Sequence, residues 1–471
     1  MSMLVVAAMQ GTGHASPEQA IVELPGYVIE GKPDLPDAES WRYAVVDDFE
    51  VLCNGSETRA TELLTAFQCF RQALAIVRPA PEPTHIGKSL VLCGSRNDFR
   101  RFVPQGESLE TGITSYLLRD SEVAVIVLDL STRYLQISGL ATLSEEGSRV
   151  RELEVSSKRQ LFRQYFRYQI PPGNTAATPA WFMEAMCQLI MDLEFEEHVI
   201  RFGNIDNRKG ALMLLGEATS PPIGNGAVDI ASSFSRYKSE LTLANNGGYI
   251  ANAYIGDRPF HTVLRRQALM PMQALFAVQA DDPEARNPLV HPLWTKQAYA
   301  FVHLCLFGNP SRFRAALHDF VLRLQTEPLS EALFQECFGM SFEAMRQMLK
   351  GYIRRPVGKY DQYRLQEGSE LTAKPVAFRE ATQAQIARIQ ADAFRLAGHR
   401  TDALETLRIA YDRGEHDPEL LATLGVKELH AGRRDRALQF LTRATENGAQ
   451  RASAWEALDF IRQRTPHAER N

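Results

Sequence analysis

Near its C-terminus the chain repeats itself. At an offset of 34 residues, Gly398 meets Gly432, Ala403-Leu404 meets Ala437-Leu438, Leu407 meets Leu441 and Ala410 meets Ala444. This constrains the fold more than any other feature of the sequence. A repeat of this kind is one supersecondary unit whose apolar face stays open until a neighbour stacks on it. The alanines fall where paired helices pack closely and the leucines fill the groove between them. Asp417-Pro418 supplies an N-cap and a first-turn proline for the next helix. Residues 380–471 are therefore expected to form an all-α tail of short stacked helices.

The rest of the 471 residues, 45% of the whole being hydrophobic, is enough for further cores. Fifty-two basic against fifty-seven acidic side chains leave a formal charge of −5, so no chain-wide positive field favours nucleic acid. The longest apolar run, Val123 to Leu130, is strand-length and far short of the roughly 20 residues a membrane span needs, so no transmembrane segment is expected. Residues 1–40 read as a lead-in. Met3 to Met9 is apolar and small residues follow around Gly13 to Ala15, but the basic opening of an export signal is missing. A remnant signal and a frayed terminus both fit, so exported, periplasmic and cytoplasmic locations stay open. Six scattered cysteines without a C-x-x-C pair read as buried thiols and not as a disulfide framework or zinc knuckle.

From Trp41 the hydrophobic period predicts an α/β segment over 41–145. It comprises a strand over Arg42–Cys53, a helix over Thr58–Leu74, a strand over Ser89–Cys93, and a hairpin of Thr114–Arg119 and Glu122–Leu130 turned at Asp120-Ser121. Over 146–355 helices dominate. Glu145–Tyr168 and Pro179–Glu197 are joined at Pro171-Pro172-Gly173-Asn174, and further helices are expected over His261–Gln279, Pro292–Leu306, Ser311–Gln325, Ser330–Phe338 and Ser341–Arg354. Turn-rich residues 203–256 read as an insertion and 356–379 as a linker. His303 and His318 stand in apolar helical contexts that suit core histidines, and Asp192, Glu194, Glu196 and Glu197 suit a solvated helix end. No Gly-x-Ser-x-Gly elbow and no phosphate-binding Gly-Lys-Ser/Thr loop is present.

Two resemblances follow from these residues. The 34-residue unit resembles the tetratricopeptide repeat family. Trp455 and Leu458 fall where that family's Trp-x-x-Leu opens a unit, and Asp459 stands where its glycine would follow, so the last helix is expected to cap the stack. The resemblance implies a concave surface for a protein or peptide partner, or else helices that brace the preceding body. The second resemblance centres on Pro179-Ala180-Trp181-Phe182-Met183-Glu184-Ala185, which is similar to the Trp-Leu-x-Glu-Gly string of gluzincin metallopeptidases, with Ala185 in place of the glycine. In that family this glutamate is the third zinc ligand, and the preceding helix carries His-Glu-x-x-His, two ligands and a general base.

Counting back, the preceding helix reads Arg163-Gln164-Tyr165-Phe166-Arg167 at that place. Element order from Trp41 to Arg354 also looks like bacterial gluzincin-like proteins of unknown function with tetratricopeptide tails. The resemblance implies an α+β fold, a gluzincin-type body of a small sheet plus helices followed by the all-α repeat tail. It also implies a catalytically silent site, because arginine offers a metal no lone pair and Gln164 cannot take a proton from water. No zinc or other cofactor is expected, and Arg163 and Arg167 are expected to pair with Glu184. The implied role is binding or scaffolding through the cleft and tail. An active metal-dependent hydrolase, with Glu184 joined by relocated ligands from 198–261, is the alternative. An oxyanion held between Arg163 and Arg167 is a third reading, and an ordinary basic helix face with Lys158 and Arg159 is the plainest.

Overall fold

The computed structural model describes residues 38–79, 87–107, 113–131, 146–171, 178–196, 198–205, 259–288, 291–356 and 358–463, with side chains in the helix that begins at 146 described from 157 onward. Almost all of the lead-in and of the expected 203–256 insertion lies outside the described residues. The chain divides into two compact units, one ending at residue 410 and one running from 411 through the remaining described residues.

In the larger unit, β1 (Arg42–Val46) and β2 (Phe49–Cys53) form an antiparallel hairpin where one strand was expected. The turn falls at Asp47-Asp48, and Asp47 has a φ of 53°, which a short polar side chain tolerates better than most. Helix α1 (Glu57–Val77) is capped by the Ser56 hydroxyl, and its buried stripe of Leu63, Leu64, Phe67, Phe70 and Leu74 lies on the sheet. Then come β3 (Gly87–Cys93), a short α2 (Arg96–Arg100), β4 (Ser115–Arg119) and β5 (Val123–Asp129). Every residue of β5 is buried, as its unbroken Val-Ala-Val-Ile-Val-Leu run requires of a strand covered on both faces.

Helix α3 (Glu146–Tyr168) and α4 (Ala180–Met191) follow, then strands β6 (Glu194–Glu196) and β7 (Val199–Phe202). The helix expected to run to Glu197 thus ends at Met191. Of the acidic cluster expected at a solvated helix end, Glu196 is exposed on β6 and Glu197 lies outside the described residues, but Asp192 and Glu194 are tied down. Asp192 is held by Arg159, and Glu194 accepts from Asn204 at 3.1 Å. The expected helix over 261–279 is two, α5 (Phe260–Leu264) and α6 (Met272–Ala277), because Pro271 cannot continue a helix but can precede one. Next come α7 (Pro292–His303), which widens into a π-type turn over Leu304–Gly308, α8 (Pro310–Arg323), α9 (Glu331–Phe338) and α10 (Phe342–Arg354). Their apolar faces enclose an aromatic core of Trp181, Phe276, Phe301, Phe320, Phe334 and Phe338. His303 is buried in it, whereas His318 is exposed on α8, contrary to expectation.

The expected linker is partly ordered onto the body. It contains β8 (Asp361–Arg364), which pairs with β7, and its Lys374 backbone exchanges two hydrogen bonds with the Gln68 side chain, at 3.0 and 2.9 Å. β9 (Arg379–Glu380) then joins β1, giving a six-stranded sheet of order β4-β5-β3-β2-β1-β9 and a three-stranded sheet β6-β7-β8. β2, β3 and β5 run parallel and the other pairings are antiparallel. The architecture is α+β.

Helix α11 (Gln383–Leu396), opened by a Thr382/Gln385 capping box, packs on this body: Phe394 stacks on Phe102 at 5.0 Å and Arg388 pairs with Glu50. The tail expected from residue 380 therefore begins inside the larger unit, and its first helix braces the sheet. α12 (Arg400–Asp412) follows. The smaller unit holds α13 (Pro418–His430), α14 (Arg434–Glu446) and α15 (Ala452–Gln463). Asp417 caps α13 through the Glu419 and Leu420 amides, and Gly425 lets α14 come close, since a Cβ there would lie 2.7 Å from Leu441 Cγ. Among the described residues no helix is long and apolar enough to cross a membrane.

Candidate functional site

Helix α4 lies between two cores. Cys187 and Ile190 face the sheet core, while Trp181, Ala185 and Leu189 face the aromatic core. A third stripe, Glu184 and Gln188, is one helical turn apart and looks toward α3 and α7. On α3, Leu161, Phe162, Tyr165 and Phe166 enter the sheet core, which leaves Arg159, Arg163 and Arg167 on a stripe spaced by four residues. Polar side chains meet where these stripes face each other.

Arg163 and Glu184 are 7% and 3% exposed, and the Arg163 fork grips the carboxylate bidentately. Nη1 donates to Oε1 at 2.9 Å and Nη2 donates to Oε2. Gln188 Nε2 also donates to Oε1, at 2.9 Å, and Lys296 Nζ from α7 donates to Gln188 Oε1 at 2.9 Å. Burial opposes the Arg163 charge, but the Glu184 carboxylate outweighs it and lifts the guanidinium pKa above its usual value. Cys187 lies in the same field. Burial raises its thiol to about 11, so at neutral pH it is neither a thiolate nucleophile nor a thiolate ligand.

The expected pairing of both arginines with Glu184 forms through Arg163 alone. Arg167 is half-buried, and its Nη1 donates to Gln164 Oε1 at 3.4 Å. Gln164 in turn donates from Nε2 to Ser115 Oγ of β4 at 2.8 Å, and that hydroxyl donates to Gln160 at 3.2 Å. A second charged group sits one turn earlier, where Arg159 pairs with Asp192. Burial would raise the Asp192 carboxyl, but Arg159, Lys296 and a Tyr299 hydrogen bond bring it below its ordinary value.

These residues do not fit a zinc ion. The one carboxylate has both oxygens occupied by a guanidinium, and the positions of the expected ligands and base carry Arg, Gln and Arg. Among the described residues no group of three or more His, Cys, Asp or Glu side chains is placed to hold a metal. Of the region from which relocated ligands were expected, 206–258 lies outside the described residues. His303 is no ligand, because Nε2 bonds the Gly203 carbonyl at 2.8 Å and Nδ1 bonds the Tyr352 hydroxyl at 2.7 Å.

Of the repeat positions, Ala403, Leu407 and Ala410 in the larger unit and Ala437, Leu441 and Ala444 in the smaller are buried, whereas Leu404 and Leu438 are half-buried. Gly398 and Gly432 end helices with φ of 93° and 77°. Gly414 and Gly448, also 34 residues apart, share this conformation. Trp455 is exposed, its indole N–H donating to the Ala449 carbonyl at 3.0 Å. Gln188, Lys296, Ser115 and Cys187 were missed as members of the site. Only Gln188, four residues after Glu184, carried a spacing signal.

Comparison of the chain with models of known protein families, with curated proteins and with solved structures finds no match.

Proposed function

We propose that this chain is a catalytically silent, gluzincin-like binding protein in which an arginine has taken the place of the catalytic metal. In this reading its helical tail, of tetratricopeptide type, presents a surface to a protein or peptide partner. The observation that carries the reading is the bidentate grip of Arg163 on Glu184. A guanidinium cation stands where the resemblance puts a dication, opposite the glutamate that would have bound it. Gln164, at the general-base position, is tied to Ser115 and has no basic lone pair to offer water. The recurring alanine, leucine and glycine positions of 398–444 support the repeat reading, and the exposed Trp455 suits a helix at the end of a stack.

The test is metal content with and without a rebuilt motif. Untagged wild-type protein loaded with Zn²⁺ and desalted is expected to retain almost none by mass spectrometry. The triple variant R163H/Q164E/R167H, with Glu184 retained, is expected to hold about one zinc per chain. Stoichiometric zinc in the wild type would defeat the reading and favour a hydrolase with ligands placed elsewhere.

A further inference from the structure

The three-stranded sheet ends on an open edge. β8 is its last strand, and the Leu365 N–H that follows it donates to the His198 carbonyl at 2.9 Å. In an antiparallel ladder that bond fixes the alternation: Asp361 and Tyr363 turn their backbone groups toward β7, and Gln362 and Arg364 turn theirs away from it. Both outward-facing residues are exposed, so the edge offers N–H and C=O groups at the spacing a further strand needs. At the N-terminal end of β8 the edge runs into a cleft of about 300 Å³ between the start of α8 and residues 358–361. Leu306, Phe307, Pro310 and Tyr360 give it apolar walls, and Arg314 meets Asp361 within it at 3.8 Å.

The same stretch is strongly basic in a chain whose net charge is −5. Between residues 350 and 364 stand Lys350, Arg354, Arg355, Lys359 and Arg364 against Asp361 alone. All five cations are exposed, and among the described residues none of them has a carboxylate within ion-pair distance, whereas Asp361 is already answered by Arg314. Interspersed charges suffice to keep an edge from pairing; a single sign selects a partner of the opposite one.

We infer that the β8 edge and the cleft beside it form a docking site for an extended acidic peptide segment of a partner protein, added as a fourth strand with one apolar side chain seated between Pro310 and Tyr360. Main-chain hydrogen bonds to Gln362 and Arg364 supply affinity and direction, the cleft reads one side chain, and Lys359 and Arg364 select acidic neighbours. A nucleic acid would meet the same charges but has no use for the unpaired backbone groups, which is why the edge favours a peptide. The site lies on the sheet-bearing body and rests neither on the repeat tail nor on the silent-peptidase reading, so it stands or falls separately from both.

The experiment measures fluorescence anisotropy on full-length protein with a labelled peptide of alternating glutamate and valine. The controls are the same peptide with lysine for glutamate, the same peptide N-methylated along its backbone, and an oligothymidylate of equal charge. Saturable binding of the glutamate peptide is expected, weakening as salt is raised. The lysine peptide and the N-methylated one each bind at least about tenfold more weakly. The variant K359E/R364E is expected to weaken binding at least about tenfold. Gln362→Pro removes one outward N–H at an edge position, where proline is tolerated, and is expected to weaken it about threefold or more. Should Gln362→Pro fail to fold, the N-methylated peptide tests the same hydrogen bonds from the other side. Equal binding of the N-methylated peptide, or oligothymidylate binding as tightly as the glutamate peptide, overturns the inference in favour of a polyanion surface. Equal binding by wild type and K359E/R364E places the peptide elsewhere and overturns it, as does the lack of saturable binding in the wild type.

Discussion

Replacing Glu184 by Gln removes the charge that Arg163 was buried to meet, while keeping the shape of the side chain. Both groups are under 10% exposed, so solvent cannot replace the lost partner without opening the packing of α3 on α4. The amide still offers one acceptor, but its NH2 faces the guanidinium N–H it should receive. Breaking a buried pair from one side costs about 3–5 kcal/mol. For a body of this size that is a fall of about 6–10 °C in midpoint, at about 2 °C per kcal/mol. Urea unfolding followed by circular dichroism gives the number directly, provided the slope m is unchanged. The double variant R163M/E184Q removes both charges and should recover more than half of the loss, leaving a coupling of at least about 2 kcal/mol. A Glu184→Gln protein within about 0.5 kcal/mol of wild type would refute this account. Arg163 would then have another anion or a path to water.

His303 predicts a pH dependence. Burial lowers its pKa to about 4, so the folded state keeps it neutral while the unfolded chain takes up a proton below about 6.5. Stability should be full above that pH and fall by up to about 3 kcal/mol as pH drops toward 4; the urea midpoint measured from pH 7.5 to 4.5 should lose much of this slope in His303→Gln. In the smaller unit, Gly425→Val would drive a side chain into Leu441 and should destabilise α13 and α14 by about 1–3 kcal/mol. Hydrogen exchange should then accelerate in the smaller unit and not in the sheet, and unchanged protection of α13 would contradict the close approach.

Elements with strong periodicity and clear punctuation were legible in the sequence. The hairpin β4–β5 and helix α9 lie within a residue or two of the ranges their patterns predict, and Asp417-Pro418 opens α13. What failed has local causes. The β1–β2 turn depends on Asp47 adopting a left-handed conformation, which no glycine or proline announced. The end of α4 at Met191 depends on Glu194–Glu196 finding β7 as a partner, a tertiary event that overrides local helical pattern. In the site, Arg163, Gln164 and Glu184 could be found because two helices carry them at recognisable spacing. Lys296 could not, because a lysine among Trp294, Ala298 and Tyr299 gives no hint that its ammonium ends on Gln188, over a hundred residues away in the chain. The division between Arg163 and Arg167 was likewise invisible, since spacing puts both on one face without saying which reaches the carboxylate.

The closure of the sheet has a consequence for how the protein is made. β1 forms the hairpin with β2 as soon as both exist, but its outer edge waits for Arg379 and Glu380, and Glu50 waits for Arg388. Gln68 on α1 likewise meets its backbone partner only at Lys374. A ribosome adding residues at about 5–20 per second needs on the order of half a minute to deliver that stretch. Until then the nascent chain carries an unpaired strand edge and an uncovered Phe102, the combination that invites pairing with another chain. The helix that braces the finished sheet thus arrives only after all the strands it covers, and holding it back by slowed translation or truncation before 380 should raise the yield of aggregates more than the loss of the smaller unit alone does.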